Sequence, residues 1–398
     1  MVQHVTLWKQ ASQVNGLFQL FHSLKKDCIL NQLKQNLLSP PNCTFTNIRN
    51  VHRQSKIPQG LVYLSRSNDV FSNLAFEDWV HDNLCLTHTN ILFLWRNKPS
   101  VVIGRHQNPW SECNIQKLVD NDIQLARRRS GGGTVYHDLG NLNCTFFTDR
   151  SQYNRRHNLE LMVAALRARW PSIQVSISNR DDLLLDNFYK ISGTSAKLGH
   201  SVAYHHFTLM MSVNLQRLRE ALHVDMIGLD SKATESIRSS VRNLCDVDSS
   251  VNYDDVISSL AREYYSIHQP QEEPKIYTVD PTDEKTWPGI TDMKEKLKMW
   301  KWVFGKSPRF SVERTQGELS VLIHTYQGRI EGTVVRAPSG VLDVNDVEDL
   351  AGAMKGVRFW SSDIEQNLKS FLKSNTTTTK NQETLQTIAH LIRSSAKG

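Results

Sequence analysis

Residues 127–141, Arg-Arg-Arg-Ser-Gly-Gly-Gly-Thr-Val-Tyr-His-Asp-Leu-Gly-Asn, constrain this chain more than any other stretch. Three consecutive glycines remove every Cβ from one side of the backbone, so a ligand can come into direct contact with main-chain N–H groups. Basic residues precede the glycines, and a β-prone run carrying His137 and Asp138 follows them. The flanks read as strands, which excludes the familiar glycine-rich phosphate loops. A P-loop needs Gly-Lys-Ser/Thr, whereas here the glycines lead into Thr134-Val135. A dinucleotide fingerprint must open a helix. No Gly-x-Ser-x-Gly nucleophile elbow occurs in the sequence. The segment suits an elongated, anionic ligand, such as an acyl chain joined to a phosphate. A glycine hairpin in a surface loop is the alternative for a triplet taken alone.

The 398 residues allow two or three domains, and 39% apolar residues are enough for packed cores. The net charge of +7 would suggest nucleic acid if it sat on the folded body. It does not. Residues 1–58 hold Lys9, Lys25, Lys26, Lys34, Arg49, Arg53 and Lys56 against a single acid, Asp27, which leaves the body near neutral. The basic, acid-poor leader has Leu17, Phe18, Leu20, Phe21 and Leu24 at helical spacing, as in a mitochondrial transit peptide. No run approaches the ~20 apolar residues of a membrane span. The six cysteines form no Cys-x-x-Cys pair, so neither a disulfide nor a metal site is expected.

Patterning predicts strands near 61–65, 91–95, 100–104, 124–129, 134–137 and 142–148, with helices at 69–84 and 158–170. More strands follow near 173–178, 183–185, 189–192 and 208–213, and helices at 215–222, 234–243 and 253–268. Strands outnumber the helices set among them: the fold class is α+β. The polar, proline-bounded stretch 269–275 reads as a linker. A second unit has strands near 309–312, 319–324 and 328–335 and helices near 344–354 and 363–372. Residues 375–380 are of low complexity and read as an exposed loop.

A second constellation runs from Asp182 through Lys190-Ile191-Ser192-Gly193 to His205-His206-Phe207-Thr208. A lysine entering a strand can stabilise a carbonyl oxygen or a phosphate as charge develops in a partly desolvated site. The two histidines fall at adjacent strand positions and so point to opposite faces, which argues against a shared metal.

Together these motifs resemble the lipoate–protein ligase A family. Supporting matches are Asn73-Leu74-Ala75-x-Glu77, Leu94-Trp95-Arg96-Asn97 and Val101-Val102-Ile103-Gly104-Arg105-x-Gln107-Asn108-Pro109-Trp110. The resemblance covers about residues 61–370. It implies a large two-sheet α/β domain of the biotin/lipoate protein ligase type, at 59–268, and a small C-terminal α+β accessory domain, at 276–398. With the leader, it points to the mitochondrial branch of the family. The implied activity is transfer of a lipoyl or octanoyl group to a lysine ε-amine. The donor would be lipoyl-AMP or a lipoylated carrier protein. The acceptors would be lipoyl domains of 2-oxo acid dehydrogenase E2 subunits and the glycine cleavage H protein.

Lys190 is then the catalytic lysine that bridges acyl carbonyl and phosphate. Arg128, Ser130, Gly131, Gly132, Gly133, Tyr136, His137, Asp138, Asn141, Arg180, Asp182, Thr208, Ile237 and Ser239 line the lipoyl-AMP site. Asp138, Asp182 and His206 are the possible proton acceptors. No tightly bound cofactor is implied; Mg²⁺ and ATP enter only if the chain is a complete ligase that makes its own adenylate. A non-catalytic binder of lipoyl domains is the reading from another class. The expected setting is the mitochondrial matrix, as a monomer, with no nucleic-acid or membrane partner. Phe207 departs from the glycine usual in bacterial ligases.

Overall fold

A computed structural model describes residues 58–224, 226–338, 343–374 and 379–396. The expected leader, all but its last residue, lies outside them. The largest sheet has six strands in the order β10 (Ser192–Leu198), β11 (Val202–Met210), β6 (Asn141–Asp149), β2 (Thr89–Trp95), β1 (Gln59–Ser65) and β13 (Ile276–Val279). Pairing is antiparallel from β10 to β2 and parallel between β2 and β1 and between β1 and β13.

Side-chain alternation gives this sheet two buried faces. Leu92, Leu94, Cys144, Phe146, Phe207 and Leu209 pack under helices α2 (Arg155–Arg169) and α4 (Tyr253–His268). Ile91, Phe93, Trp95, Phe147 and Tyr204 face helix α1 (Val70–Asn83). Asp69 caps α1 by accepting hydrogen bonds from the Phe71 and Ser72 amides, as its position before the apolar run predicts. The expected strand at 208–213 is in fact β11, which starts six residues earlier, contains both histidines and leads to helix α3 (Leu215–Leu222).

Three strands, β4 (Gln124–Arg127), β3 (Ser100–Ile103) and β5 (Val135–His137), form a second sheet over the α1-facing side. Residues 128–134 connect β4 to β5, so the glycines link strands as their flanks predict. A third small sheet, β7 (Val175–Ile177), β8 (Leu183–Leu185) and β9 (Tyr189–Lys190), delivers Lys190 beside the edge strand β10.

The fourth sheet is antiparallel: β12 (Leu229–Ser231), β14 (Phe310–Gln316), β15 (Leu319–Tyr326) and β16 (Arg329–Arg336). Its helices are α6 (Val344–Met354), α7 (Ser361–Ser374) and α8 (Thr379–Ser395). Residues 375–378 of the expected loop lie outside the described residues, and 379–380 already belong to α8. The stretch 269–275 does not separate two bodies: β13 follows it into the large sheet, and α5 (Ile290–Lys298) packs on α1. In return, β12 crosses from the first part of the chain into the fourth sheet. One apolar core joins Val101, Ile103 and Tyr136 to Phe310, Val312 and Ile323, with the buried Trp110 ring 5.0 Å from Phe310 and 5.2 Å from Phe304.

The helix expected at 234–243 does not form. Residues 232–240 run as an extended loop, in which Ser236 bonds Thr134, just after the glycines, and Glu112.

Candidate active site

The glycine strip lies over the α1-facing side of the large sheet and encloses a cavity of about 410 Å³ with it. The floor comes in transverse rows set by the strand register. One row is Gly193 on β10, Thr208 on β11, Asn143 on β6 and Trp95 on β2. The next is Ser195, His206, Thr145 and Phe93.

Arg128 shapes the roof from within. Its Nη2 donates to the Gly131 and Gly133 carbonyls at 2.6 Å each, Nη1 to Val102 O at 2.9 Å and Nε to Ser130 Oγ at 3.0 Å. Burial pushes its pKa down to about 10, so the guanidinium stays charged at neutral pH. Gly132 has φ of +78°, and an added Cβ on Gly104 would lie 2.1 Å from Gly132 O. The strip and the end of β3 can therefore touch only as glycines.

Polar chains pass through the site. His206 lies between Glu77, 2.9 Å from Nδ1, and Ser130, 2.9 Å from Nε2. Ser130 Oγ already accepts from Arg128, so its hydrogen points to Nε2, and Nδ1–H donates to Glu77. Glu77 also accepts from the Thr145 hydroxyl. A second chain starts at Ser65, whose hydroxyl donates to Asn73 Oδ1 at 2.6 Å. Asn73 Nδ2 then donates to Asn97 Oδ1 at 2.8 Å, which leaves Asn97 Nδ2 to donate to His137 Nδ1 at 2.9 Å. This order makes His137 an Nε2–H donor. Burial, with the charge of Arg128 beside it, pushes the His137 pKa down to about 3, so the ring is neutral.

Lys190 stands at the mouth with Nζ 2.9 Å from Asp182 Oδ1. Arg180 and Arg155 line the same rim, and Arg155 is held 3.0 Å from Asp181. The loop 232–240 closes the other side. Ser236 Oγ accepts from the Thr134 amide at 2.8 Å and from Gln107 Nε2 at 3.0 Å, and donates to Glu112. The same carboxylate accepts from the Ser236 amide and the Thr134 hydroxyl.

Of the residues expected to line the site, Arg128, Gly132, Gly133, His137, Arg180, Asp182, Lys190, Thr208 and Ile237 meet at this cavity. Six others do not line it. Tyr136 points to the opposite face from Val135 and His137, into the apolar core shared with the C-terminal sheet, because side chains alternate along β5. Asp138 accepts from the Gly140 and Asn214 amides and closes a turn. Asn141 donates to Tyr136 O. Ser130 and Gly131 hold the strip together from behind, the latter by accepting from Ser195 Oγ at 2.8 Å. Ser239 is exposed on the loop. The sequence reading missed Trp95, Glu112, Asn143, Arg155, Ser195 and Ser236 as site residues. Trp95 lay inside a motif already singled out, and Ser236 directly precedes the expected Ile237; for Asn143 only the strand register supplies a signal.

The cavity combines a cation at its mouth, neutral donors within and an apolar wall of Leu74, Trp95, Val102 and Val135, a chemistry that suits an acyl chain with an anionic head. Solved structures share the fold. P. falciparum LipL1 in complex with lipoate matches with a TM-score of 0.56 at 23% identity, covering 84% of this chain and 99% of that one. Lipoate-protein ligase A bound with ATP matches with a TM-score of 0.51 at 22% identity, covering 61% and 98%.

Residues 69–265 match the lipoyl protein ligase A/B catalytic domain. The mouse mitochondrial lipoyl amidotransferase LIPT1 is 45% identical over 308 residues, 75% of this chain and 82% of that protein. Lipoate-protein ligase A of Bdellovibrio bacteriovorus is 33% identical over 316 residues, 78% and 91% of the two chains. The chain belongs to the lipoate–protein ligase family.

Proposed function

We propose that this chain is a mitochondrial lipoyl amidotransferase acting in the matrix. It takes a lipoyl group from lipoyl-AMP, or from a lipoylated carrier protein, and delivers it to the ε-amine of a lysine on a lipoyl domain. The acceptors we propose are the lipoyl domains of 2-oxo acid dehydrogenase E2 subunits and the glycine cleavage H protein, met by a monomer.

The observation that carries the reading is the Lys190–Asp182 pair at the mouth of a cavity otherwise walled by the glycine strip. Lys190 Nζ contacts the acyl carbonyl oxygen and the phosphate of the mixed anhydride and stabilises charge that develops on both. The acceptor amine, with an ordinary pKa of ~10.4, must lose a proton before or as it attacks. Its nitrogen bonds to the acyl carbon, the bond from that carbon to the phosphate oxygen breaks, and AMP leaves with the electron pair. Asp182 is the base best placed for the amine's proton. Asp138 is engaged in its turn, and His206 sits deep in the site, between Glu77 and Ser130.

In this reading His137, Arg128, Gly132, Gly133 and Thr208 hold the acyl chain and the anhydride, and Arg180 and Ile237 border the nucleotide. No enzyme nucleophile and no resident cofactor is required. Intact mass of a recombinant lipoyl domain tests this. A lipoyl mass gain with lipoyl-AMP, and none with lipoate, ATP and Mg²⁺, is the expected result. A gain in both reactions would make the chain a complete ligase. No gain with lipoyl-AMP or with a lipoylated carrier would remove the activity.

A further inference from the structure

Asn143 is 2% exposed and lines the cavity, yet among the described residues neither its Oδ1 nor its Nδ2 has a hydrogen-bond partner. His137, also 2% exposed, has its Nε2 unpartnered in the same way. Buried polar atoms are almost always paired with protein or ordered water, so unpaired ones facing a cavity are bonded there by water or by a ligand that displaces it. Both side chains border Trp95: Asn143 is its register partner, and the His137 ring lies 5.8 Å from the indole. The floor row places them along the channel. Asn143 is two strands, about 10 Å, inward from Gly193 at the sheet edge where Lys190 stands, and Trp95 is one strand deeper. The reacting carbonyl sits at Lys190, so Asn143 and His137 meet the far part of the acyl chain.

We infer that Asn143 and His137 form a subsite for a sulfur-bearing acyl terminus, and so select lipoyl over a plain hydrocarbon chain. This rests on the proposed transfer activity. Thioether- and disulfide-type sulfurs are weak hydrogen-bond acceptors, which the donors of Asn143 Nδ2 and His137 Nε2 can meet. Sulfur also packs favourably against an aromatic ring, here Trp95. An octanoyl chain has the same backbone length but no acceptor, and leaves both donors buried and unpaired.

The test compares kcat/KM for lipoyl-adenylate and octanoyl-adenylate within one enzyme preparation, using an apo lipoyl domain as acceptor. The ratio is independent of how much protein is folded. Wild type is expected to favour lipoyl-adenylate by about tenfold, the low end of the cost of stranded buried polar groups. Asn143→Leu, close in volume and apolar, should bring the ratio near one, and Asn143→Ser should retain part of the preference. A wild-type ratio near one, or a ratio unchanged in Asn143→Leu, overturns the inference while leaving the transfer activity standing. Transfer of neither adenylate by wild type overturns the activity and the subsite together.

Discussion

Replacing Gly104 with alanine tests whether the glycine strip holds its position by direct backbone contact. The new Cβ would lie 2.1 Å from Gly132 O and 3.1 Å from Gly131 O. Both neighbours are backbone, and contacts under 3.0 Å essentially never occur, so the strip must retreat by about 1 Å. Arg128 resists that movement through its bonds to the Gly131 and Gly133 carbonyls. We expect destabilisation of about 1–3 kcal/mol, as for an overpacked core. A displacement of 1 Å at a positioning element lowers the transfer rate by roughly 100-fold. Gly131→Ala is the control: nothing lies within 4 Å of a Cβ there. Single-turnover transfer from lipoyl-adenylate, with a thermal melt of each variant, reads both effects. Equal rates for Gly104→Ala and Gly131→Ala would refute the contact argument.

Three further predictions concern other parts of the site. Arg127 is fully buried and donates to Gly104 O, Arg105 O, Gln107 O, Val303 O and Ser307 Oγ, tying the 104–107 turn to the chain ahead of β14. Arg127→Met strands several of these acceptors, at about 1–3 kcal/mol each, and should lower the melting temperature by many degrees; a shift within error would contradict this. His137 has its folded pKa near 3, against ~6.5 when unfolded. The unfolded chain therefore binds the extra proton between pH 6.5 and 3, and stability falls as pH falls through that window. The contribution is about 2 kcal/mol between pH 6.5 and 5. Denaturant melts should show a shallower pH slope in His137→Leu, and identical slopes would reject the buried neutral ring. Ser236→Ala removes the hydroxyl that links the loop to Glu112, Gln107 and Thr134. Limited trypsin digestion should then cut after the exposed Arg238 several-fold faster, whereas an unchanged rate would mean the loop is held elsewhere.

What could be read from the sequence was local. The glycine strip, Lys190 and Thr208 sit in contiguous motifs whose chemistry is visible without a fold. The residues around them come from distant segments. Glu112 holds a loop 124 residues later, and Asn143 reaches the cavity only because β6 lies between β11 and β2 in one register. The 234–243 stretch has helical spacing of Ile237 and Val241, but hydrogen bonds to Glu112 and Gln107 outcompete it. Tyr136 and Asp138 share a motif with His137, yet strand alternation and a turn direct them away. The linker reading failed to foresee that β13 would add to the edge of the large sheet, because a short exposed turn and an interdomain linker have the same composition.

The most direct test of the central claim is single-turnover transfer from lipoyl-adenylate to an apo lipoyl domain by wild type and Lys190→Ala, followed by intact mass. Lys190 is partly exposed and, among the described residues, its only ion-pair partner is Asp182, so the variant should fold, which circular dichroism and a thermal melt would confirm. We predict a loss of at least ~100-fold in the transfer rate, the order seen when one preorganised donor is removed from developing charge. A folded Lys190→Ala protein that transfers at the wild-type rate would place the chemistry elsewhere.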